Sequence, residues 1–409
     1  MMFVMQFVGL AQKDNPLVLC MSLNKLKFEV SYMNRKIWEI IRSKRRWMML
    51  DEFDCNVKIV SGAGAVRKLA DFGARRLFLV TDPFFYKNGT AQRIAAEAGA
   101  EQVEIFYDVR PDPTVELAAE GTAKLKAFGP DLIVALGGGS AMDCAKAMTY
   151  FSRADAKLVA IPTTSGSGSE VTDFAILTHN RVKHPLVDKK LRPCMAILDS
   201  ELLQDMPPSL IADAGFDVLT HAVEAYVATD AGVFSDMLAQ EAFRSAYGAL
   251  PASFAGAKEV RLKVHQAATM AGMAFTQAGL GLCHAMAHAL GGMFHVSHGK
   301  LNAVLLPAVV ATNSHVAAEK YAQLSRACGM GGTADTIAVR NLRNGLIRLR
   351  RELKLPETLV QAGIAPAALR SATNEIVKAV LDDPCCNTNP MKPEGFLVRR
   401  ILEEVTGRV

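Results

Sequence analysis

No CxxC pair and no regular spacing occur among the eight cysteines, Cys20, Cys55, Cys144, Cys194, Cys283, Cys328, Cys385 and Cys386. That argues against a disulfide framework and for a reduced, intracellular protein. No apolar run approaches the roughly 20 residues that span a bilayer, so no membrane partner is expected. The opening MMFVMQFVGLAQ lacks a basic n-region and a cleavage site, which makes it a poor signal peptide. Charge is scarce: 21% of the 409 residues are charged and the net charge is only +5. Nine Lys or Arg against three acidic residues fall in 1–50, so that segment carries +6 and the remainder is near neutral. A nucleic-acid footprint over the body is therefore not expected. Internal repeats and low-complexity linkers are missing as well. What is present is a chain that is 50% hydrophobic and long enough for two sizeable cores.

Residues 1–50 stand apart, with seven methionines, both tryptophans and a basic run at Ser43–Trp47. An amphipathic helix over Asn34–Leu50, with Ile37, Trp38, Ile40, Ile41 and Trp47 on one face, would serve as a docking or targeting element. A start at Met21, Met33 or Met49 is the competing reading. From Phe53 onward short β-branched runs alternate with Ala-rich helical patterns such as 89–98 and 114–128. The runs are 76–81, 103–107, 131–136, 157–162, 174–178 and 195–199. This rhythm predicts an α/β domain over 51–204 with a mostly parallel sheet and helices on both faces. After Pro208 the strand signals stop, and helical patterns broken at Pro251, Gly291 and Pro307 predict an all-α domain over 205–409. The cleft between the halves is the expected site.

On the α/β side, the strand 131–136 runs into Gly137-Gly138-Gly139-Ser140 and a helix-forming stretch. Glycines at such a turn let backbone N–H groups approach a pyrophosphate at the positive end of a helix. The match to GxGxxG is incomplete, since Met142 stands at the third glycine position, and a plain turn capped by Ser140 is the alternative. A second strand end carries Thr163-Thr164-Ser165-Gly166-Ser167-Gly168-Ser169-Glu170, dense in small donors. Asp82 ends the strand 76–81, where a carboxylate accepts from a ribose diol and repels a 2′-phosphate, favouring NAD over NADP. Asp112 either reinforces that preference or caps a turn, and Lys183 is either a phosphate partner or a solvated surface group.

On the helical side, four of the nine histidines, His284, His288, His295 and His298, crowd into fifteen residues of GLCHAMAHALGGMFHVSHGKLN. His284 and His288 share a helix face, and a break at Gly291-Gly292 is expected before the other two. Upstream, Asp217 and His221 are four apart, offering an oxygen and an imidazole to the same divalent ion, or else forming a buried hydrogen-bonded pair. Spacing does not choose among His288, His295 and His298 as further ligands.

GGGSAMDCAKA, IPTTSGSGSEVT, ILDSELLQDMPPSLIADAGFDVLTHAVEAY and AGLGLCHAMAHALGGMFHVSHG, in this order, resemble the successive signatures of the iron-containing (group III) alcohol dehydrogenases. The resemblance runs from Phe53 to the C-terminus and implies a Rossmann-like α/β dinucleotide-binding domain followed by an all-α metal-binding domain. It implies Asp217, His221, His284 and His298 as ligands of Fe²⁺, with Zn²⁺ as a substitute, and His288 as a non-ligand catalytic group relaying the alcohol proton. It implies Asp82, Gly138, Gly139, Ser140, Asp143, Thr163, Thr164, Ser169 and Lys183 as NAD(H)-binding residues, and leaves His295 structural. Within the family the chain resembles the 1-propanol dehydrogenases of propanediol-utilising microcompartments, through the RPDPT loop, the short 146–157 connection and FTQAGLGLCHAMAHALGGMFH. Leu301 departs from the small residue usual there. The implied activity is NAD(H)-linked interconversion of a short primary alcohol and its aldehyde by a homodimer or higher homo-oligomer, cytoplasmic or housed with microcompartment shell or lumen proteins. A dehydroquinate-synthase-like lyase and a non-catalytic scaffold are the competing functions. Phe151, Phe174 and Phe275 are candidates for an apolar substrate pocket.

Overall fold

The four inner strands are hydrophobic on both faces, which only burial between two helical layers satisfies, and with two more exposed edge strands they form one wholly parallel sheet. The computed structural model describes residues 52–179 and 182–407, so the expected helix over 34–50 lies outside the described residues. The sheet order is β1-β8-β5-β4-β2-β3, with β1 Lys58–Gly62, β2 Arg76–Val80, β3 Gln102–Phe106, β4 Leu132–Gly137, β5 Lys157–Pro162 and β8 Met195–Asp199. In β2, Leu77 and Leu79 pack into one face cluster and Phe78 and Val80 into the other, all four fully buried. The chain leaves β2 toward β3 on one side and returns to β4 on the other. The carboxyl ends of β2 and β4 therefore flank the crevice at which open α/β sheets bind ligands.

The run at 174–178 behaves differently from its expectation. It forms β6 Phe174–His179, which pairs antiparallel with β7 Val182–Val187 in a separate hairpin. β1, an edge strand whose residues are mostly exposed or half-buried, carries too few apolar positions to be seen in the sequence.

Helices cover the sheet: α1 Pro83–Lys87, α2 Thr90–Glu97, α3 Val115–Phe128 and α4 Gly139–Ser152. Thr114 caps α3 by accepting from Leu117 N at 3.1 Å. The later part of the chain is helical throughout: α5 Pro208–Val227, α6 Val233–Phe254, α7 Arg261–Ala278, α8 Leu282–Phe294, α9 His298–Ala327, α10 Asp335–Glu352, α11 Pro366–Asp382 and α12 Gly395–Thr406. Helices do end three residues past Pro251, at Phe254, and three past Gly291, at Phe294, but no break occurs at Pro307. Pro251 lies in the last turn of α6, Pro307 inside α9, and α8 runs through Gly291-Gly292, because burial against neighbouring helices outweighs the propensity cost. The chain turns at 228–232, 255–260, 279–281 and 295–297. By length and composition α9 could cross a bilayer, yet 72% of its apolar window is buried within the protein. The seven described cysteines are all unpaired.

The helical part is stitched to the sheet by α7. Gln266 Nε2 donates to Ser61 Oγ at 2.9 Å, Arg261 Nη1 to Leu203 O at 2.5 Å, and Thr269 Oγ1 to Glu170 Oε1 at 2.6 Å.

Candidate active site

At the end of β4 the chain enters α4 through three glycines. Gly137 has φ +149°, a conformation that side chains resist, and a Cβ there would stand 2.7 Å from Ala141 Cβ and 3.7 Å from Asp82 Oδ2. A Cβ on Gly138 would stand 3.2 Å from Thr164 Oγ1, and one on Gly139 would stand 3.1 Å from Ser167 Oγ. The glycine turn, Asp82 and the loop 163–170 thus meet at one spot, with Ser140 in the first turn of α4. The N-terminal N–H groups of α4 open there, with no acidic side chain in the first turn. The glycines let the turn pack against these neighbours, and the free N–H groups at the helix start suit a pyrophosphate.

Asp82 caps α1, its Oδ1 accepting from Phe84 N at 2.8 Å and Phe85 N at 3.2 Å. Thr163 is buried and its N–H donates to Gly137 O at 3.0 Å, which ties the second loop to the first. The loop is pinned from behind. Gly168, at φ +64°, sits so near α7 that its Cβ would fall 2.7 Å from Gly272 Cα, and Ser165 Oγ lies 2.9 Å from Nδ1 of buried His265. Ser169 Oγ donates to Asp143 Oδ1 at 2.7 Å, while buried Lys146 Nζ donates to Ser169 Oγ at 2.9 Å, Thr172 Oγ1 at 2.8 Å and Phe174 O at 2.9 Å. Asp143 Oδ2 accepts from Ile176 N at 3.1 Å, so Asp143 and Ser169 bind one another and brace the loop against β6. Lys183 Nζ pairs with Asp112 Oδ1 at 2.7 Å, which joins two residues the sequence had offered separately.

The other side of the site grows from α5. Asp217, His221 and Glu224 lie at i, i+4 and i+7 and form one stripe. Asp217 Oδ1 accepts from Asn302 Nδ2 at 2.7 Å. The same oxygen lies 3.9 Å from His221 Nε2, 3.7 Å from His284 Nε2 and 3.5 Å from His298 Nε2. Ligand atoms of Asp217, His284 and His298 are all within 4.8 Å of one another. The His221 ring stacks on His284, with centroids 4.5 Å apart. Donors bound at roughly 2.0–2.1 Å to one tetrahedral ion lie roughly 3.4 Å apart, so these spacings suit a shared divalent ion. His284 Nε2 is buried with no hydrogen-bond partner, a cost that a metal bond would remove.

Protonation fits the same occupant. Burial would raise the Asp217 carboxyl, but His221, His298 and His284 hold it well below the usual range. Burial pushes His221 down to about 4 and His298 well below its ordinary value, which keeps their lone pairs free. His284 differs: burial lowers it, but Asp217 and Glu224 on either side bring it up to about 9. A cation at this place would displace that proton.

Glu224, which the sequence reading missed, is almost fully buried and accepts His284 Nδ1 at 2.7 Å, Gly281 N at 2.9 Å and Cys283 N at 2.6 Å. Its signal was an acidic residue three positions after His221 on a face otherwise apolar. Asn302 and Asp383 were missed too. Asp383 Oδ2 lies 2.9 Å from His288 Nδ1, and nothing in a separation of 95 residues announces that contact. His288 stacks on His298 with centroids 5.2 Å apart. His295 is exposed and terminates α8 at φ +55°, outside the cluster. Phe275 stacks on His221 at 4.5 Å and touches Phe174 at 5.8 Å. Phe151 lies apart from Phe174 and Phe275: it is 47% exposed in the last turn of α4, at the end away from the glycine turn. Leu301 is fully buried beside Gly291 of α8, where its bulk fills the helix contact and leaves the histidines in place.

Comparison with known proteins points the same way as the geometry. Residues 56–200 match the family model described as iron-containing alcohol dehydrogenase, and 211–406 match the C-terminal model of the Fe-containing alcohol dehydrogenase family. The chain is 37% identical over 369 residues to 1-propanol dehydrogenase PduQ of Salmonella typhimurium, covering 87% of this chain and 100% of that protein. It is 36% identical to the NADPH-dependent butanol dehydrogenase of Clostridium saccharobutylicum, covering 84% and 95%. Sulfoacetaldehyde reductase from Bifidobacterium kashiwanohense, solved in complex with NAD⁺, superposes with a TM-score of 0.80 at 25% identity, covering 87% and 99%.

Proposed function

Since the chain belongs to the iron-containing alcohol dehydrogenases and is an oxidoreductase, we propose that it interconverts a short-chain primary alcohol and its aldehyde, 1-propanol and propanal among them, using NAD(H) and Fe²⁺, with Zn²⁺ as an alternative occupant. Family membership sets aside the lyase and scaffold readings. The observation that carries the proposal is the convergence of the Asp217 carboxylate with the His221, His284 and His298 rings.

When bound, a divalent ion supplies Lewis acidity at the substrate oxygen and the dinucleotide supplies or takes the hydride. Asp217, His221, His284 and His298 are the residues to hold the ion, and Glu224 orients His284 for it. Gly138, Gly139 and Ser140 present backbone N–H groups to the pyrophosphate, with Thr163 and Thr164 on the nicotinamide side. His288 moves the alcohol proton through its Nε2, since its Nδ1 is already engaged with Asp383. Phe275 and Phe174 shield the reacting carbon from water. Asp82 supports NAD(H) over the NADPH named for the Clostridium relative, because a carboxylate there repels a 2′-phosphate.

A homo-oligomer and residence within a bacterial microcompartment, with residues 1–50 as docking element, belong to the same reading. Fusing 1–50 to a fluorescent protein tests the latter: sedimentation with shell proteins supports it, and uniform spread contradicts it. The function itself is tested by following NADH oxidation at 340 nm with C2–C4 aldehydes, after Fe²⁺ loading, Zn²⁺ loading or chelation. Fe²⁺-dependent turnover of propanal supports the proposal, while turnover of none of the aldehydes, or turnover indifferent to chelator, refutes it.

A further inference from the structure

Asp383 follows α11 directly and caps the short 3-10 turn Pro384–Thr388, its Oδ1 accepting from Cys385 N at 2.8 Å. Its other oxygen takes His288 Nδ1 at 2.9 Å. The Asp383 side chain is only 14% exposed and the His288 side chain 31%, so the carboxylate lies on the inner side of the ring. With both oxygens engaged, the carboxylate cannot swing away. The segment that carries it is fastened to the start of α8, the helix that bears His284 and His288. Asn389 Oδ1 accepts from Leu282 N at 3.0 Å and Thr388 Oγ1 donates to Leu280 O at 2.7 Å, while Asn389 Nδ2 ties the segment to α9 by donating to Asn313 Oδ1 at 2.9 Å. Gly279 lies so close that a Cβ would come within 2.3 Å of Thr388 Oγ1.

We propose that Asp383 is a positioning residue for the reaction: it fixes the Nδ1–H tautomer and the ring angle of His288, leaving Nε2 as the one nitrogen that exchanges the substrate's proton. An imidazole's reactive nitrogen is set by the hydrogen bond its other nitrogen makes, and a carboxylate partner also stabilises the cation formed when Nε2 takes a proton. Burial works to raise the Asp383 carboxyl, but the bond and charge of His288 hold it below its ordinary value, so it accepts rather than donates. Cys385 completes a group with Asp383 and His288 whose ligand atoms lie within 4.8 Å. Burial and the Asp383 charge push its thiol well above the usual value, which removes it as a nucleophile and leaves the carboxylate as the functional partner. This inference rests on the assignment of proton transfer to His288.

The test measures kcat and KM for propanal and NADH, bound iron and melting temperature for Asp383→Asn, Asp383→Glu, His288→Ala and the double variant Asp383→Asn/His288→Ala. Asp383→Asn should lower kcat by roughly 10- to 100-fold, with KM and bound iron little changed. Asp383→Glu should recover part of that loss. The double variant should be no slower than His288→Ala alone, since two residues acting through one path are not additive. Unchanged kcat in Asp383→Asn, additive losses in the double variant, or a loss that follows iron content or melting temperature would each overturn the role of Asp383 while leaving His288 in place. Full turnover in His288→Ala would overturn the His288 assignment and the inference with it.

Discussion

Replacing Glu224 by Gln isolates what a buried carboxylate does for a metal-site histidine, because shape is kept and only charge and one acceptor are lost. In the native protein four N–H donors converge on it: Cys283 N at 2.6 Å on Oε1, and His284 Nδ1 at 2.7 Å, Gly281 N at 2.9 Å and His284 N at 3.3 Å on Oε2. The least costly amide orientation keeps oxygen at the Oε2 position and turns the NH₂ toward Cys283 N, setting donor against donor. One stranded buried donor costs about 1–3 kcal/mol of stability. The second effect falls on the metal. A neutral amide polarises His284 Nδ1–H less than a carboxylate does, and weakening such a partner lowers metal affinity by roughly 10- to 100-fold. At about 1.4 kcal/mol per tenfold, that is about 1.4–2.8 kcal/mol. The two effects separate experimentally. Denaturant unfolding of metal-free protein reads the first, and Fe²⁺ competition against a calibrated chelator reads the second. An affinity within about twofold of wild type would refute the claim that Glu224 tunes His284.

Stability should fall on acidification through His265. Burial pushes this histidine down to about 4 from an ordinary value of 6.5, despite Pro162 O and Asp199 nearby. The unfolded chain therefore takes up a proton that the folded one refuses, so stability is full above pH 6.5 and declines as the pH falls from 6.5 toward 4. The loss is about 3 kcal/mol, and His265→Asn should flatten the slope of unfolding free energy in that window. An unchanged slope would contradict it. Asp82→Ala should raise the NADPH-to-NADH ratio of kcat/KM by about tenfold or more while removing the cap of α1, worth about 1 kcal/mol; a constant ratio would remove Asp82 from cofactor choice. In Gly272→Ala the new methyl meets Gly168 O at 2.8 Å and Val171 Cγ2 at 2.9 Å. It should displace the loop 163–170, raise the KM for NADH with bound iron retained, and cost about 1–3 kcal/mol. An unaltered KM would show the loop to be uninvolved.

The sheet was legible because strands buried on both faces must be continuous apolar runs, as β2, β4, β5 and β8 are, and the edge strand β3 still carries enough apolar residues to stand out. β1 did not, since an edge strand can stay polar, and β6 read as a sheet member because its run has the same composition whether it pairs in the sheet or in a hairpin. Proline and glycine were poorer guides in the helical part: inside a packed bundle Pro307 and Gly291 sit within helices, and the chain also turns at 228–232 and 279–281. In the site, Asp217 and His221 were visible because they share a helix face, and His284 and His298 because of their crowding, with the choice between histidines resting on the family resemblance. Glu224 and Asp383 were not, since their roles exist only through contacts with His284 and His288 across 60 and 95 residues of chain. Asp112 and Lys183 each looked like a lone charge and meet only in three dimensions.

The claim on which the rest depends is that one divalent ion sits among Asp217, His221, His284 and His298. Anaerobic calorimetric titration of Fe²⁺ into metal-free protein tests it most directly, with wild type and His284→Ala compared at the same pH. One equivalent bound tightly by the wild type, with proton release as the ion displaces the proton held on His284, and no saturable binding in His284→Ala, is the predicted result. Equal stoichiometry and affinity in the two proteins would contradict it.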